Sequence, residues 1–400
     1  MKEITLTLKI ITPLFMGGAD QQPELRTQSI NGVIRWWFRT IGGSFEDEKK
    51  LFGWGGENAR KGNVKISIIK SEELKATEFS KIFNNNGYPE QIGYNYFSFS
   101  LDQRFNKRQT DKIQRKYFNE NRNFILKTTF TPLLNDEDIK KFLCALWCSI
   151  YLGNFGSRAR RGFGSLIVTD IKGIEENFLS FIPKDNISGW LKNNIEVIKQ
   201  KFSFSEIKVY TINKNNFNNN IQNWVNKVQE GRNGKYLASR YNSSNLNQLQ
   251  NLLNFMGFTL MAFRSYMKPD YDTAKNIIQG SKPQENKIER AIFGLPINFF
   301  FSSIKSKRHD GKLGVGAILN PVKTENGKET NLRRASPIIF KVIANKNNDF
   351  EGFIILVKKE FLPENIKLKL KNTEIKKPNY TLIDKYINTL KNMQLISEVF

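Results

Sequence analysis

Residues Phe142–Ile171 read FLCALWCSIYLGNFGSRARRGFGSLIVTDI, and the order of three pieces within that stretch decides the fold. Phe142–Leu152 is an almost uninterrupted apolar run, which predicts a buried helix. Asp136 opens it, because Asp136, Glu137 and Asp138 complement the positive end of a helix dipole. Gly153–Ser165 then interleaves four glycines with Arg158, Arg160 and Arg161. Without a Cβ, glycine turns through φ > 0 and lets backbone N–H groups come close to phosphate oxygens. Arginine supplies planar forks that bind phosphate bidentately and stack on bases. A helix cap followed by a solvated basic loop is the simpler alternative, but a cap needs one glycine rather than four. Ser165–Ile171 closes the stretch as a strand.

Upstream, Glu3–Ile11 alternates, with Ile4, Leu6, Leu8 and Ile10 on one side, and predicts a strand rather than a signal peptide. A loop follows that holds Gly17, Gly18 and Asp20. Ser29–Ile41 places Ile30, Val33, Ile34, Trp37 and Ile41 at helical spacing and leaves Arg35 and Arg39 together on the polar face. Val64–Ile69 and Phe124–Phe130 read as strands. Between them lie a possible extra strand, Gln91–Leu101, and a basic insertion, Arg104–Arg122. The order strand, helix, two strands, helix, strand is the split βαβ pattern of ferredoxin-like and RRM-like folds.

Downstream, helices are expected near Ile187–Lys201, Ile221–Gln229 and Leu246–Met267, then strands at Ile297–Ile304, Pro337–Ile343 and Gly352–Glu360, and a last helix at Leu382–Leu395. By element order alone this is a second, heavily decorated copy of the first unit. At 400 residues the length favours two domains, here 1–172 and 173–400, in an α+β chain. Asn213–Asn220 reads as a polar surface loop and Lys305–Gly316 as an exposed basic hairpin or loop.

Lys+Arg total 62 against Asp+Glu 38, a net charge of +24, and such an excess implies a polyanionic partner. The lysines are scattered, whereas the arginines gather at Arg35/Arg39, Arg158/Arg160/Arg161 and Arg333/Arg334. The two cysteines, Cys144 and Cys148, sit one helical turn apart inside an apolar run and read as packing residues of a reduced protein. With one histidine, His309, neither a Cys/His zinc site nor a Ser/His/Asp or Cys/His nucleophile can be assembled. No cofactor is implied. The longest uncharged stretch, Phe142–Ser157, is too short to span a membrane, so the chain is expected in the cytoplasm.

For Arg35 and Arg39, phosphate contact competes with a plain solvated helix face. Trp36 offers a stacking platform, though a tryptophan run on an amphipathic helix is more often core. Arg333 and Arg334 read as a strand start or a second phosphate clamp, and Glu24 and Arg26 as a local surface pair. Asp20, in a loop, lacks a partner base or metal cluster. His309, beside Lys307, Arg308 and Asp310, would be the acid–base residue of a ribonuclease or simply solvated.

The segments ITLTLKIITPLFMGGAD, SINGVIRWWFR, LFG at Leu51–Gly53, GNFGSRARRGFGS, FGLP at Phe293–Pro296 and RRASPIIFKV at Arg333–Val342 together resemble the RAMP superfamily of CRISPR systems. Within it, the combination of GGAD, RWWFR and RRASP is most similar to the first-named RAMP subunit of type III-B, or Cmr, effector complexes. The resemblance implies two ferredoxin-like domains and a non-catalytic subunit that contacts the 3′ region of the guide RNA, the target RNA and other RAMP subunits. It implies an RNA-binding role for Gly153, Gly156, Arg158, Arg160, Arg161, Gly162 and Gly164, with Arg35 and Arg39 from the basic helix and Arg333 and Arg334 from the later motif. The rival readings are a metal-independent RAMP endoribonuclease that processes CRISPR RNA, using His309 or Asp20, and a stand-alone single-strand binder.

Overall fold

The computed structural model describes residues 2–20, 22–57, 59–69, 74–87, 90, 92–104, 114–173, 178–202, 204, 206–214, 217–229, 241, 246–265, 267–305 and 313–400. His309, with Lys307, Arg308 and Asp310, lies outside them, as do 105–113 of the basic insertion. Helices and strands are mixed along the whole chain.

The first unit runs β1 (Lys2–Ile10), α1 (Thr27–Thr40), α2 (Phe45–Phe52), β2 (Val64–Ile69), α3 (Gly93–Phe97), β3 (Asn123–Phe130), α4 (Asp136–Tyr151) and β4 (Leu166–Lys172). Its sheet has the order β2-β3-β1-β4, with every neighbouring pair antiparallel. The alternation in β1 buries Ile4, Leu6, Leu8 and Ile10, as the period-two pattern requires. α1 turns Ile30, Ile34, Trp37 and Phe38 inward and packs on α4. α4 begins with a capping box between Asn135 and Asp138, which satisfies two orphan donors at its start. Cys144 and Cys148 are free and fully buried in it, and burial pushes the Cys144 thiol up to about 12.

The second unit runs α5 (Ile187–Lys201), β5 (Ile207–Ile212), α6 (Phe217–Val228), α7 (Gln248–Arg264), α8 (Lys268–Gln279), β6 (Ile297–Lys305), β7 (Leu313–Glu325), β8 (Ile338–Ala344), β9 (Phe350–Val357), β10 (Ile366–Leu370), α9 (Thr381–Asn392) and β11 (Ile396–Glu398). One sheet has the order β8-β9-β5-β11, again antiparallel throughout. A further sheet is built on β6-β7-β10. One continuous apolar core runs through both units.

Several expectations need correction. The segment around Gln91–Leu101 forms the short helix α3 rather than a strand, because it lies across α7, where a Cβ on Gly93 would sit 2.0 Å from the Asn254 carbonyl oxygen and one on Gly257 2.1 Å from the Gly93 oxygen. The two glycines let the backbones touch, and an extended strand would not cross there. α6 begins at Phe217, inside the stretch Asn213–Asn220 read as a polar loop, and β5 just before that stretch and β11 after the last helix lie where no strand was expected. α8 was also missed; it opens with a proline in its first turn and stops at the left-handed Gly280. Among the described residues no helix is long and apolar enough to cross a membrane.

Candidate nucleic-acid interface

The glycine-rich segment is a seam as much as a surface. Its N–H groups donate inward: Ser157 to the Phe15 carbonyl at 2.7 Å and Gly164 to the Pro13 carbonyl at 3.0 Å. The Thr12 hydroxyl accepts from the Ser165 amide and donates to the Gly162 carbonyl, both at 2.8 Å. The buried Asn154 amide donates to the Phe340 carbonyl on β8 at 2.8 Å and to the Ala159 carbonyl, while Ser165 Oγ donates to its Oδ1 at 2.6 Å. Arg161 and Phe340 form a parallel bridge. β8 is an edge strand of its own sheet, yet all seven residues are buried, since the glycine segment covers that edge. Gly164, at φ +74°, is where only glycine serves: a Cβ would lie 1.8 Å from the Phe155 carbonyl oxygen. Gly153 and Gly162 are buried, and Gly156 is exposed at the tip. Thr12, Asn154 and Ser165 went unnoticed in the sequence, although uncharged polar residues inside an apolar motif were a usable signal.

The three loop arginines separate. Arg160 Nη1 donates to the Ser336 carbonyl at 2.6 Å, and its guanidinium lies 4.7 Å from the Trp36 ring centre. Burial, helped by Arg334, pulls its pKa down to about 10. Lys359 approaches the same Trp36 ring to 5.5 Å and donates to Thr40 Oγ1 at 3.0 Å. Burial, then Arg39 and Arg160, lower its pKa. The structure therefore brings Arg39, Arg160 and Lys359 together around a half-buried tryptophan, with Arg39 on one unit and Lys359 on the other.

Arg158 and Arg161 point to the opposite side, toward Tyr96 of α3 and Arg264 of α7. Arg264 Nη1 donates to the Tyr96 hydroxyl at 3.1 Å. Burial pushes that hydroxyl up, but Arg264, Arg161 and Arg158 more than offset it, so its pKa falls below the usual range. Arg158 Nε, Arg161 Nη1 and Arg264 Nε have no hydrogen-bond partner among the described residues. Burial lowers Arg161 to about 10, and its guanidinium rests 5.6 Å from the Phe97 ring.

Arg35 is held by Glu48, with contacts of 2.8 and 2.9 Å. Arg39 stands 3.7 Å from the same carboxylate and keeps 57% of its side chain exposed, whereas Glu48 is only 3% exposed. Arg334 donates to the carbonyls of Phe361 and Ile292 and to Tyr380, and stacks 4.5 Å from Phe361. Arg333 is exposed beside it. Among the described residues, Glu48 is the one carboxylate within ion-pair distance of Arg35, Arg39, Arg160, Arg334 or Lys359. Five cations against one carboxylate, with an aromatic face between them, can hold a phosphate backbone and stack a base. Glu24 pairs with Arg26 at 3.7 Å, and Asp20 is exposed. No group of three metal-binding side chains occurs among the described residues.

The RAMP superfamily model matches residues 7–167, from β1 through the glycine segment. The CRISPR system Cmr subunit Cmr1-2 of Pyrococcus furiosus is 35% identical over 190 residues, which span 96% of that protein and 42% of this chain. The chain belongs to the Cmr1 family. Cmr1-1 of the same organism is 31% identical over 157 residues, 36% of this chain and 41% of that one. Among solved structures, apo Cmr1 from Pyrococcus furiosus superposes with a TM-score of 0.49 at 19% identity, covering 100% of this chain and 99% of that one. A chain of a type III-B Cmr-beta assembly bound to cognate target RNA gives 0.45 at 16%, covering 98% and 99%.

Proposed function

We propose that this chain is a non-catalytic RNA-binding subunit of a cytoplasmic type III-B Cmr effector complex, contacting the 3′ region of the guide RNA and the target RNA beside other RAMP subunits. In this reading it consists of two ferredoxin-like domains, about 1–172 and 173–400. Each unit carries an antiparallel sheet in the order second-third-first-fourth strand, the arrangement that a split βαβ unit produces. The observation that carries the function is the gathering of Arg39, Arg160 and Lys359 around Trp36, across both units, with one buried carboxylate nearby. RNA phosphates lie against Arg39, Lys359 and the exposed Arg333, and a base stacks on Trp36. Arg35 and Arg334 act by positioning the helix and the strand entry. Gly153, Gly162 and Gly164 shape the seam, Gly156 borders the tip, and Arg158 and Arg161 set the potential beneath it. Sequence choice comes from pairing between the two RNAs, as in other guide-directed effectors.

The test is RNA binding by the purified chain and by the assembled complex, comparing wild type with Trp36→Ala and Arg39→Ala/Lys359→Ala, while each RNA is followed for cleavage. Both variants are expected to bind more weakly, with RNA intact throughout. Unchanged affinity in both variants, or cleavage by the purified chain, overturns the reading.

A further inference from the structure

A second small site lies at the tip of the glycine segment, away from Trp36. Phe15, Met16, Gly17, Gly18, Leu101, Arg115, Lys116 and Ser157 line a partly open cavity of about 150 Å³. Three separate parts of the sequence meet there: the Gly17–Gly18 loop, the exposed Ser157, and the Arg115–Lys116 part of the basic insertion. Each wall is held by backbone pairing. The Ser157 amide donates to Phe15, and Arg115 pairs with Leu101 and with Phe79 through 2.9 and 2.8 Å hydrogen bonds. Lys116 opens a short strand paired with Ala76–Glu78. The two cations are thus delivered by fixed backbone, not by a loose basic run.

Neither Arg115 nor Lys116 makes an ion pair among the described residues, and the Ser157 hydroxyl has no partner there. The carboxylates of Glu24 and Asp20 both lie close to Gly18; Glu24 is engaged by Arg26, and Asp20 accepts from the Gln22 amide at 3.1 Å. Pockets that enclose drug-sized molecules begin at roughly 300 Å³. A cavity half that size, whose lining includes Arg115, Lys116 and Ser157, suits one tetrahedral anion rather than a nucleoside. We propose that this cavity is a phosphate site that seats a single phosphate group of the bound RNA. The proposal rests on the RNA-binding reading and deepens it. It gives the Arg104–Arg122 insertion a task, that of carrying Arg115 and Lys116 to the glycine tip. Arg115 supplies the bidentate fork, Lys116 a point charge, and Ser157 a neutral donor.

The test compares wild type, Arg115→Ala/Lys116→Ala, Ser157→Ala and a control with the same charge loss on the exposed face of α5, Lys192→Ala/Lys199→Ala. RNA of one sequence, ending in hydroxyls, a 5′-phosphate or a 3′-phosphate, is titrated across a salt series. The double variant is expected to lose affinity on the order of tenfold and salt slope by about 0.7 for the lost phosphate, with Ser157→Ala weaker than wild type and the control near it. A loss confined to phosphate-ended RNA assigns a terminal phosphate, and a loss on all three RNAs assigns an internal one. If wild type binds RNA and the double variant tracks the control, the phosphate site is overturned while the RNA-binding reading stands. If wild type binds no RNA, that reading falls and inorganic phosphate decides: thermal stabilisation over chloride at equal ionic strength, present in wild type and absent in the double variant, keeps the site. Equal responses overturn it.

Discussion

Arg334 shows how far an arginine's role depends on what its guanidinium already holds. Its N–H groups are engaged by the Phe361 and Ile292 carbonyls and by Tyr380, so removing it strands buried acceptors. Arg334→Ala is expected to lower stability by roughly 2–3 kcal/mol, read as a shift of the denaturation midpoint at constant slope, while Arg333→Ala leaves that midpoint in place. A midpoint unmoved in both variants would refute the distinction. Lys341 is the opposite case, a fully buried lysine in the middle of β8 whose nearest polar contact is the Leu166 carbonyl at 3.5 Å. Burial holds its pKa well below the ordinary 10.5. Between the lowered value and 10.5 the unfolded chain carries a proton that the folded chain lacks, so stability rises with pH across that window. Below the window the folded protein bears the whole cost of burying the charge. Lys341→Met is expected to be the more stable protein at neutral pH and to lose the rise toward alkaline pH, as urea denaturation at several pH values would show.

The joint between elements is where the glycine segment meets β8. Asn154 spans it, and its loss leaves the Phe340 carbonyl unsatisfied in a dry seam. Asn154→Ala is expected to destabilise by about 2 kcal/mol and to weaken RNA binding as well, because Arg160 then loses its fixed backing. An intact affinity in a folded Asn154→Ala protein would separate seam from surface. This joint was half legible beforehand. The periodicity of β1, the amphipathic α1 and the acid-capped, apolar α4 made the first unit readable, since each element obeys one local rule over many residues. β11 is three residues long, too short to impose a period, β5 buries the consecutive Val209 and Tyr210 and so breaks the alternation, and their pairing partners lie far away in the chain. The loop arginines were visible as a cluster, but their division into Arg160 on one side and Arg158 and Arg161 on the other depends on what β8, α3 and α7 place beside them. Lys359 carries no local sign of its function, since it joins the site only because its strand ends over Trp36.

Across the whole molecule, a charge of +24 makes salt the sharpest probe of how RNA is held. Single-stranded RNA loses about 0.7 in log–log slope for every phosphate contact removed. Arg39→Ala/Lys359→Ala is therefore expected to flatten the slope by about 1.4, and a slope unaltered at lower affinity would mean that these residues act through packing alone. The placement of Arg160 has a temporal consequence too. Its side chain is anchored by the Ser336 carbonyl, 176 positions later in the chain. A ribosome that has finished the first unit has made the arginine but not its anchor. A nascent chain halted before Ser336 is thus expected to leave RNA alone, and competence to capture it arrives late in synthesis, as a built-in guard against loading an unfinished subunit.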